Sequence, residues 1–270
     1  MKRRNLLIAS AGFTSASLIT ASSQPGNATR EPLGATIALS QNLRGYFVSP
    51  PGKGPYPATV VIMEAFGLNE NIKKVCNRLA QAGYAALAPD FYHGDVFAYT
   101  NLQGAIAKLK TMNDDKVMAE FGTGLDYLKT RQEVMPDQVA TIGFCMGGRL
   151  AFLANAVHHD KLKAAVCFYG SGIAAEPDPF GRPALLDKVA AMQAPIMLLY
   201  GTEDQFIVAG EHQRITLALS SQKKRYTLAV FDQAGHGFMS DRRDSYAPKA
   251  AEEAWDMTLS FCKWHLQQSR

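Results

Sequence analysis

The chain has 270 residues, 47% of them hydrophobic and 19% charged, enough to bury one substantial core without a second domain. Its net charge of +4 falls to about +1 once Lys2, Arg3 and Arg4 are set aside, and no basic cluster with interleaved aromatics occurs elsewhere, which excludes a nucleic-acid partner. No later run approaches the roughly 20 apolar residues that a membrane span requires.

Residues 1–28 read as an export signal with a linker. Arg3-Arg4-Asn5-Leu6-Leu7 has a twin-arginine-like start, and a modest apolar stretch from Leu6 to Ile19 precedes small residues. A periplasmic or secreted location is therefore expected. The alternative is a basic tail on a cytoplasmic protein. Cys76, Cys167 and Cys262 lie in apolar helical or strand patterns and are expected to pack as free thiols. No Cys/His spacing suggests a metal site.

Residues 33–268 read as a single α/β domain. Two short strands are expected at Ala35–Leu39 and Arg44–Val48, followed by a Pro/Gly-rich turn over 50–57. Strands and helices then alternate, which predicts a mostly parallel central sheet with helices on both faces. Ala58–Met63 is an apolar strand, Asn69–Ala82 an amphipathic helix closed by Gly83, and Tyr84–Ala88 a further strand. Residues 91–112 read as loop and short helix beside the site. Val117, Phe121, Leu125 and Leu128 share one helical face, as do Ala251, Trp255, Leu259, Cys262 and Leu266. The two tryptophans are assigned to core and surface packing.

Three segments carry chemistry. Gly143-Phe144-Cys145-Met146-Gly147-Gly148 follows the apolar run Val139–Ile142 and precedes a helical pattern, so Cys145 is placed at a strand-to-helix elbow. The apolar strand Pro195–Tyr200 runs into Gly201-Thr202-Glu203-Asp204, and Tyr226–Phe231 runs into a loop containing His236. The order nucleophile, acid, histidine is that of an α/β-hydrolase. Cys145 is thus the candidate nucleophile, His236 its base and Asp204 the group that orients the imidazole. The positive end of the following helix favours the thiolate. One oxyanion donor is the Met146 N–H, and the second is expected from the loop after the first central strand. That loop begins with Glu64, a carboxylate costly to bury unpaired. It is read either as a structural partner of Arg78 or Lys73, or as a group that meets the Cys145 thiol and controls its ionisation.

Taken in order, Glu64-Ala65-Phe66-Gly67-Leu68-Asn69, Ala88-Pro89-Asp90-Phe91-Tyr92, the Cys145 elbow, Tyr200–Asp204 and His236-Gly237-Phe238 resemble the dienelactone hydrolase family. The resemblance implies an α/β-hydrolase fold without cofactor, a Cys145-Asp204-His236 triad, and a glutamate, Glu64, that takes the thiol proton when substrate arrives. It also implies an oxyanion hole formed by the N–H groups of Ala65 and Met146. Phe66, Tyr92, His93 and Phe238 are candidates to line the pocket, and His93 reads equally as a surface loop residue. Members that open dienelactone hold its carboxylate with arginines, but here His93-Gly94-Asp95 follows Tyr92, and the fourth residue after His236 is Ser240. Arg242 and Arg243, just beyond, are candidate anion ligands or caps of a solvated loop. The expected function is hydrolysis of a small carboxylic ester or lactone by a monomer or small homo-oligomer. The alternatives are a thioesterase or acyltransferase on the same triad, or a non-catalytic small-molecule-binding protein on a hydrolase scaffold.

Overall fold

One edge of the sheet is an antiparallel hairpin. β1 (Ala35–Ala38) pairs with β2 (Arg44–Val48), which pairs antiparallel with β4 (Ala85–Pro89). From there every pairing is parallel, through β3 (Tyr56–Ile62), β5 (Val134–Phe144), β6 (Ala164–Phe168), β7 (Ile196–Gly201) and β8 (Tyr226–Phe231). The order is β1-β2-β4-β3-β5-β6-β7-β8. This computed structural model describes residues 34–267 apart from 176, 177 and 179. The export signal expected over residues 1–28 lies outside the described residues.

Near-continuous apolar runs explain the parallel pairing, because strands covered on both faces have no solvated side to alternate toward. β6 (AAVCF) and β7 (IMLLYG) are buried at every position, whereas β8, at the sheet edge, is buried only at Phe231. Connections between parallel strands are right-handed, so the direction of each step sets the face of its helix. The step from β3 through α1 (Glu70–Gln81) to β4 runs toward β1. Those through α3 (Asp114–Lys129), α4 (Met146–Val157) and α5 (Ala209–Ser221) run toward β8. α3, α4 and α5 therefore cover one face, and α1 covers the other together with the last helix, α6 (Pro248–Leu266). There the Arg78 guanidinium lies 4.0 Å from the Trp255 ring centroid.

Helix starts follow local chemistry. Asn69 accepts the Ile72 N–H and Asn113 the Lys116 N–H, each satisfying a donor of the first turn. Just beyond α1, Gly83 turns at φ +95°. Residues 91–112 resolve into a loop followed by α2 (Leu102–Leu109), capped by Asn101. Two elements lie outside the expected pattern, α5 and a 3₁₀ turn over Leu186–Ala191. β3 also begins inside the expected turn, at Tyr56. Cys76, Cys167 and Cys262 are buried free thiols, Trp255 is buried and Trp264 is exposed. Among the described residues no helix is long and apolar enough to cross a membrane, and no cluster of potential metal ligands occurs.

A fully buried arginine ties the first turn of α4 to its neighbours. Arg149 Nη1 donates to both carboxylate oxygens of Asp114 at 2.9 and 2.8 Å, while Nε and Nη2 donate to the carbonyls of Gly172 and Pro183. Its charge is tolerated because its nitrogens are all used. Arg149→Ala is expected to remove about 3 kcal/mol of unfolding free energy in chemical denaturation. A change below about 0.5 kcal/mol would show that the clamp is not structural.

Candidate active site

The elbow after β5 is tight enough that bare backbone is obligatory. A Cβ at Gly143 would sit 1.8 Å from the Gly147 carbonyl oxygen, and one at Gly147 would sit 2.3 Å from that of Ile62. Cys145 itself adopts φ +55° and ψ −116°, a conformation an L-residue adopts only when its surroundings enforce it. Its N–H donates to the Phe168 carbonyl, and its own carbonyl accepts the N–H groups of Gly148 and Arg149 to open α4. The side chain is left at the positive end of that helix.

The loops after β7 and β8 bring the other two members to it. A Cβ at Gly201 would meet the Ala234 carbonyl oxygen at 1.9 Å, so these loops run in backbone contact. Cys145 Sγ lies 3.0 Å from His236 Nε2, and His236 Nδ1 lies 2.9 Å from Asp204 Oδ2. The carboxylate has only lone pairs, so Nδ1 carries the proton. Asp204 is buried and held by the Phe206 N–H on Oδ1. The His236 ring is flanked edge-on by Phe206 at 4.9 Å and Tyr169 at 5.2 Å.

Burial opposes charge on both Cys145 and His236, yet each offsets it for the other. The imidazolium brings the thiol below its ordinary pKa, while Glu64 pulls the other way. The thiolate and Asp204 raise His236 to about 10. Each of the two groups thus favours the charged form of the other. Neither the Ala65 N–H nor the Met146 N–H donates to a protein acceptor among the described residues.

Glu64 pairs with neither Arg78 nor Lys73, and it acts on the Cys145 thiol through its charge rather than through a hydrogen bond. Fully buried at the end of β3, it accepts from the Tyr99 hydroxyl at 3.0 Å and the Tyr169 hydroxyl at 3.5 Å. Arg78 is instead on Trp255, Lys73 pairs with Glu70, and Cys145 bonds to His236. Burial raises the Glu64 pKa above the ordinary range, with Arg243, the two tyrosines and His236 pulling it back.

The expected lining residues divide. Phe66 lies under the site, edge-on to Tyr99 at 4.6 Å, and the Arg243 guanidinium stacks over both rings at 5.6 and 5.7 Å. Arg243 also lines a cavity of about 420 Å³ with His236 and Phe206. Arg242 points to solvent beside Asp241, the solvated-loop alternative of its two readings. His93 takes the surface-loop alternative, since it turns outward at φ +56° and bonds Asn42 and Glu120. Phe238 is fully buried against Phe168, Tyr169 and Phe231, behind the site rather than lining it. Tyr92 is also fully buried, with its hydroxyl 3.7 Å from the Met146 sulfur.

Sequence reasoning missed Tyr99, Tyr169, Phe206 and Ser240. Tyr169 could have been found, because it ends the strand next to the elbow. Tyr99 carried no such signal. If His236 holds the thiolate, His236→Ala should slow alkylation of Cys145 by iodoacetamide at about pH 6 at least tenfold, since the thiol pKa rises without the imidazolium. An unchanged rate would remove His236 as the source of the ionisation.

Residues 43–266 match the model of the dienelactone hydrolase family. A Methylorubrum extorquens protein named as a carboxymethylenebutenolidase is 34% identical over 78% of this chain and 72% of its own length. A Bradyrhizobium protein named as a 2-oxo-3-(5-oxofuran-2-ylidene)propanoate lactonase is 32% identical over 82% and 89%. Among solved structures, one from Klebsiella pneumoniae described as a dienelactone hydrolase superposes with a TM-score of 0.79 at 29% identity, over 86% of this chain and 99% of that one. By sequence and by fold, the chain belongs to the dienelactone hydrolase family of α/β-hydrolases and is a hydrolase acting on ester bonds.

Proposed function

We propose that the chain hydrolyses small carboxylic esters or lactones through an acyl-enzyme on Cys145. The observation that carries this reading is the unbroken contact from Sγ to Nε2 at 3.0 Å and from Nδ1 to Asp204 at 2.9 Å. The thiolate attacks the carbonyl carbon, and the carbonyl electron pair moves to an oxygen held by the Ala65 and Met146 N–H groups. The tetrahedral intermediate collapses as His236 Nε2–H protonates the departing alkoxide, which in a lactone remains tethered. The neutral imidazole then takes a proton from water, which attacks the thioester and releases the acid and the thiolate. Asp204 keeps the ring in the required tautomer throughout.

The lactone part of the substrate class is supported by the relatives named as a carboxymethylenebutenolidase and a lactonase. Arg243 is the cation that an anionic substrate group would meet, because it lines a cavity with His236 and its guanidinium stacks over Phe66. Cys145→Ala is expected to lower kcat/KM for p-nitrophenyl acetate and for γ- and δ-lactones by about a thousandfold or more, with an unaltered circular dichroism spectrum. Substantial turnover by that folded variant would refute the nucleophile assignment.

We also propose export, on the strength of Arg3-Arg4 before the apolar stretch Leu6–Ile19. Cell fractionation should find the protein in the periplasm or medium, and Arg3→Lys with Arg4→Lys should retain it in the cytoplasm. Cytoplasmic recovery of the unaltered chain would contradict this.

A further inference from the structure

The Tyr99 hydroxyl sits at a junction. It lies 3.0 Å from Glu64 Oε2, 3.3 Å from Ser240 Oγ and 3.4 Å from Asn69 Nδ2. The Asn69 amide nitrogen can only donate, and Ser240 directs its hydroxyl to the same oxygen, so the Tyr99 proton is committed to the carboxylate. Asn69 is itself fixed, because its other amide atom caps α1. Ser240 is fully buried, and the Tyr99 ring is gripped by Phe66 on one side and Arg243 on another. Three loops thus converge on one phenol: the loop after β3, the segment before α2 and the loop after β8.

We propose that Tyr99 is a positioning residue that holds Glu64 off the Cys145 thiol and sets its charge, so that the relay Ser240–Tyr99–Glu64 governs how much thiolate the site carries. This deepens the nucleophile reading and rests on it. The groups facing the Glu64 carboxylate are Tyr99, Tyr169, Arg243, His236 and the Cys145 thiol. Of these, the two tyrosines are its hydrogen-bond donors, and Tyr99 makes the shorter bond. A phenol O–H bonded to a carboxylate stabilises the ionised form, and an ionised Glu64 opposes the thiolate beside it. Loss of the Tyr99 hydroxyl keeps Glu64 protonated to higher pH, which extends the range in which the thiolate is unopposed. Ser240→Ala acts in the same direction more weakly, because a phenol oxygen that accepts a hydrogen bond is a better donor.

The test is the rate of Cys145 alkylation by iodoacetamide from about pH 4 to about pH 9, read by peptide mass, for the wild type, Tyr99→Phe, Glu64→Gln and the double variant. The wild-type profile is expected to contain one inflection that Glu64→Gln abolishes. Tyr99→Phe should move it upward by about one pH unit, and the double variant should match Glu64→Gln alone. Tyr99→Phe keeps the ring and its stacking; should it fail to fold, Ser240→Ala carries the test with a smaller upward shift. A profile without a Glu64-dependent inflection, an inflection that Tyr99→Phe leaves in place, or an equal shift in the Glu64→Gln background overturns the inference. Turnover of p-nitrophenyl acetate is followed in the same wild-type samples. Its loss in step with alkylation leaves the nucleophile reading standing, so that an unmoved inflection counts against Tyr99 alone. Turnover that survives complete alkylation overturns the nucleophile reading and the inference with it.

Discussion

Backbone touching backbone at the end of β5 is the constraint from which the rest of the site follows. The Gly147 carbonyl occupies the space where residue 143 would carry a Cβ, the Ile62 carbonyl occupies that of residue 147, and the Phe168 carbonyl stands 2.5 Å from the Cβ position of residue 148. The ends of β3, β5 and β6 are thereby drawn against the first turn of α4. A chain held this way turns at Cys145 with φ +55°. That conformation costs on the order of 1–3 kcal/mol, which the converging strands must supply. In return, Sγ is aimed into a fixed point at a helix N-terminus, and the loops after β3, β7 and β8 meet around that point.

Charge is then distributed among groups with little access to water. Cys145, His236 and Glu64 lie close enough to one another, and to the charges of Asp204 and Arg243, that the ionisation of these three is set jointly. His236 gains charge from two anionic neighbours and lends it to the thiol, whereas Glu64 resists the thiolate while Arg243 favours it. The tyrosines at Glu64 decide how strongly that resistance is felt. A hydrolase with a thiolate already formed needs no proton transfer to begin its attack.

Much of this was legible in the chain. Continuous apolar runs identified the parallel strands, and glycines flanking Cys145 identified the elbow. The order Cys145, Asp204, His236 at the ends of three strands identified side chains that the fold brings into hydrogen-bonding contact. What escaped has physical reasons. Tyr99 sits in an aperiodic loop, and its partners Glu64 and Ser240 are 35 and 141 residues away. His93 follows the buried Tyr92 directly, but a left-handed backbone turns it outward to Glu120. Among the buried positions of α5 is Glu211, whose carboxylate accepts the Ala174 N–H, so the helix shows too narrow an apolar stripe to be read. Arg149 is hidden among apolar residues of α4 because its partners come from other segments.

The central claim is that the carbonyl carbon of the substrate becomes bonded to Cys145 Sγ during turnover. Its most direct test is rapid acid quenching of the enzyme during steady-state turnover of p-nitrophenyl acetate, followed by mass analysis of the peptide containing Cys145. The account predicts an acetyl group on that peptide, absent from the peptides of Cys76, Cys167 and Cys262 and lost when substrate is exhausted. Turnover that proceeds with the acetyl group on another residue, and none on Cys145 in an enzyme slowed at deacylation by His236→Ala, would contradict it.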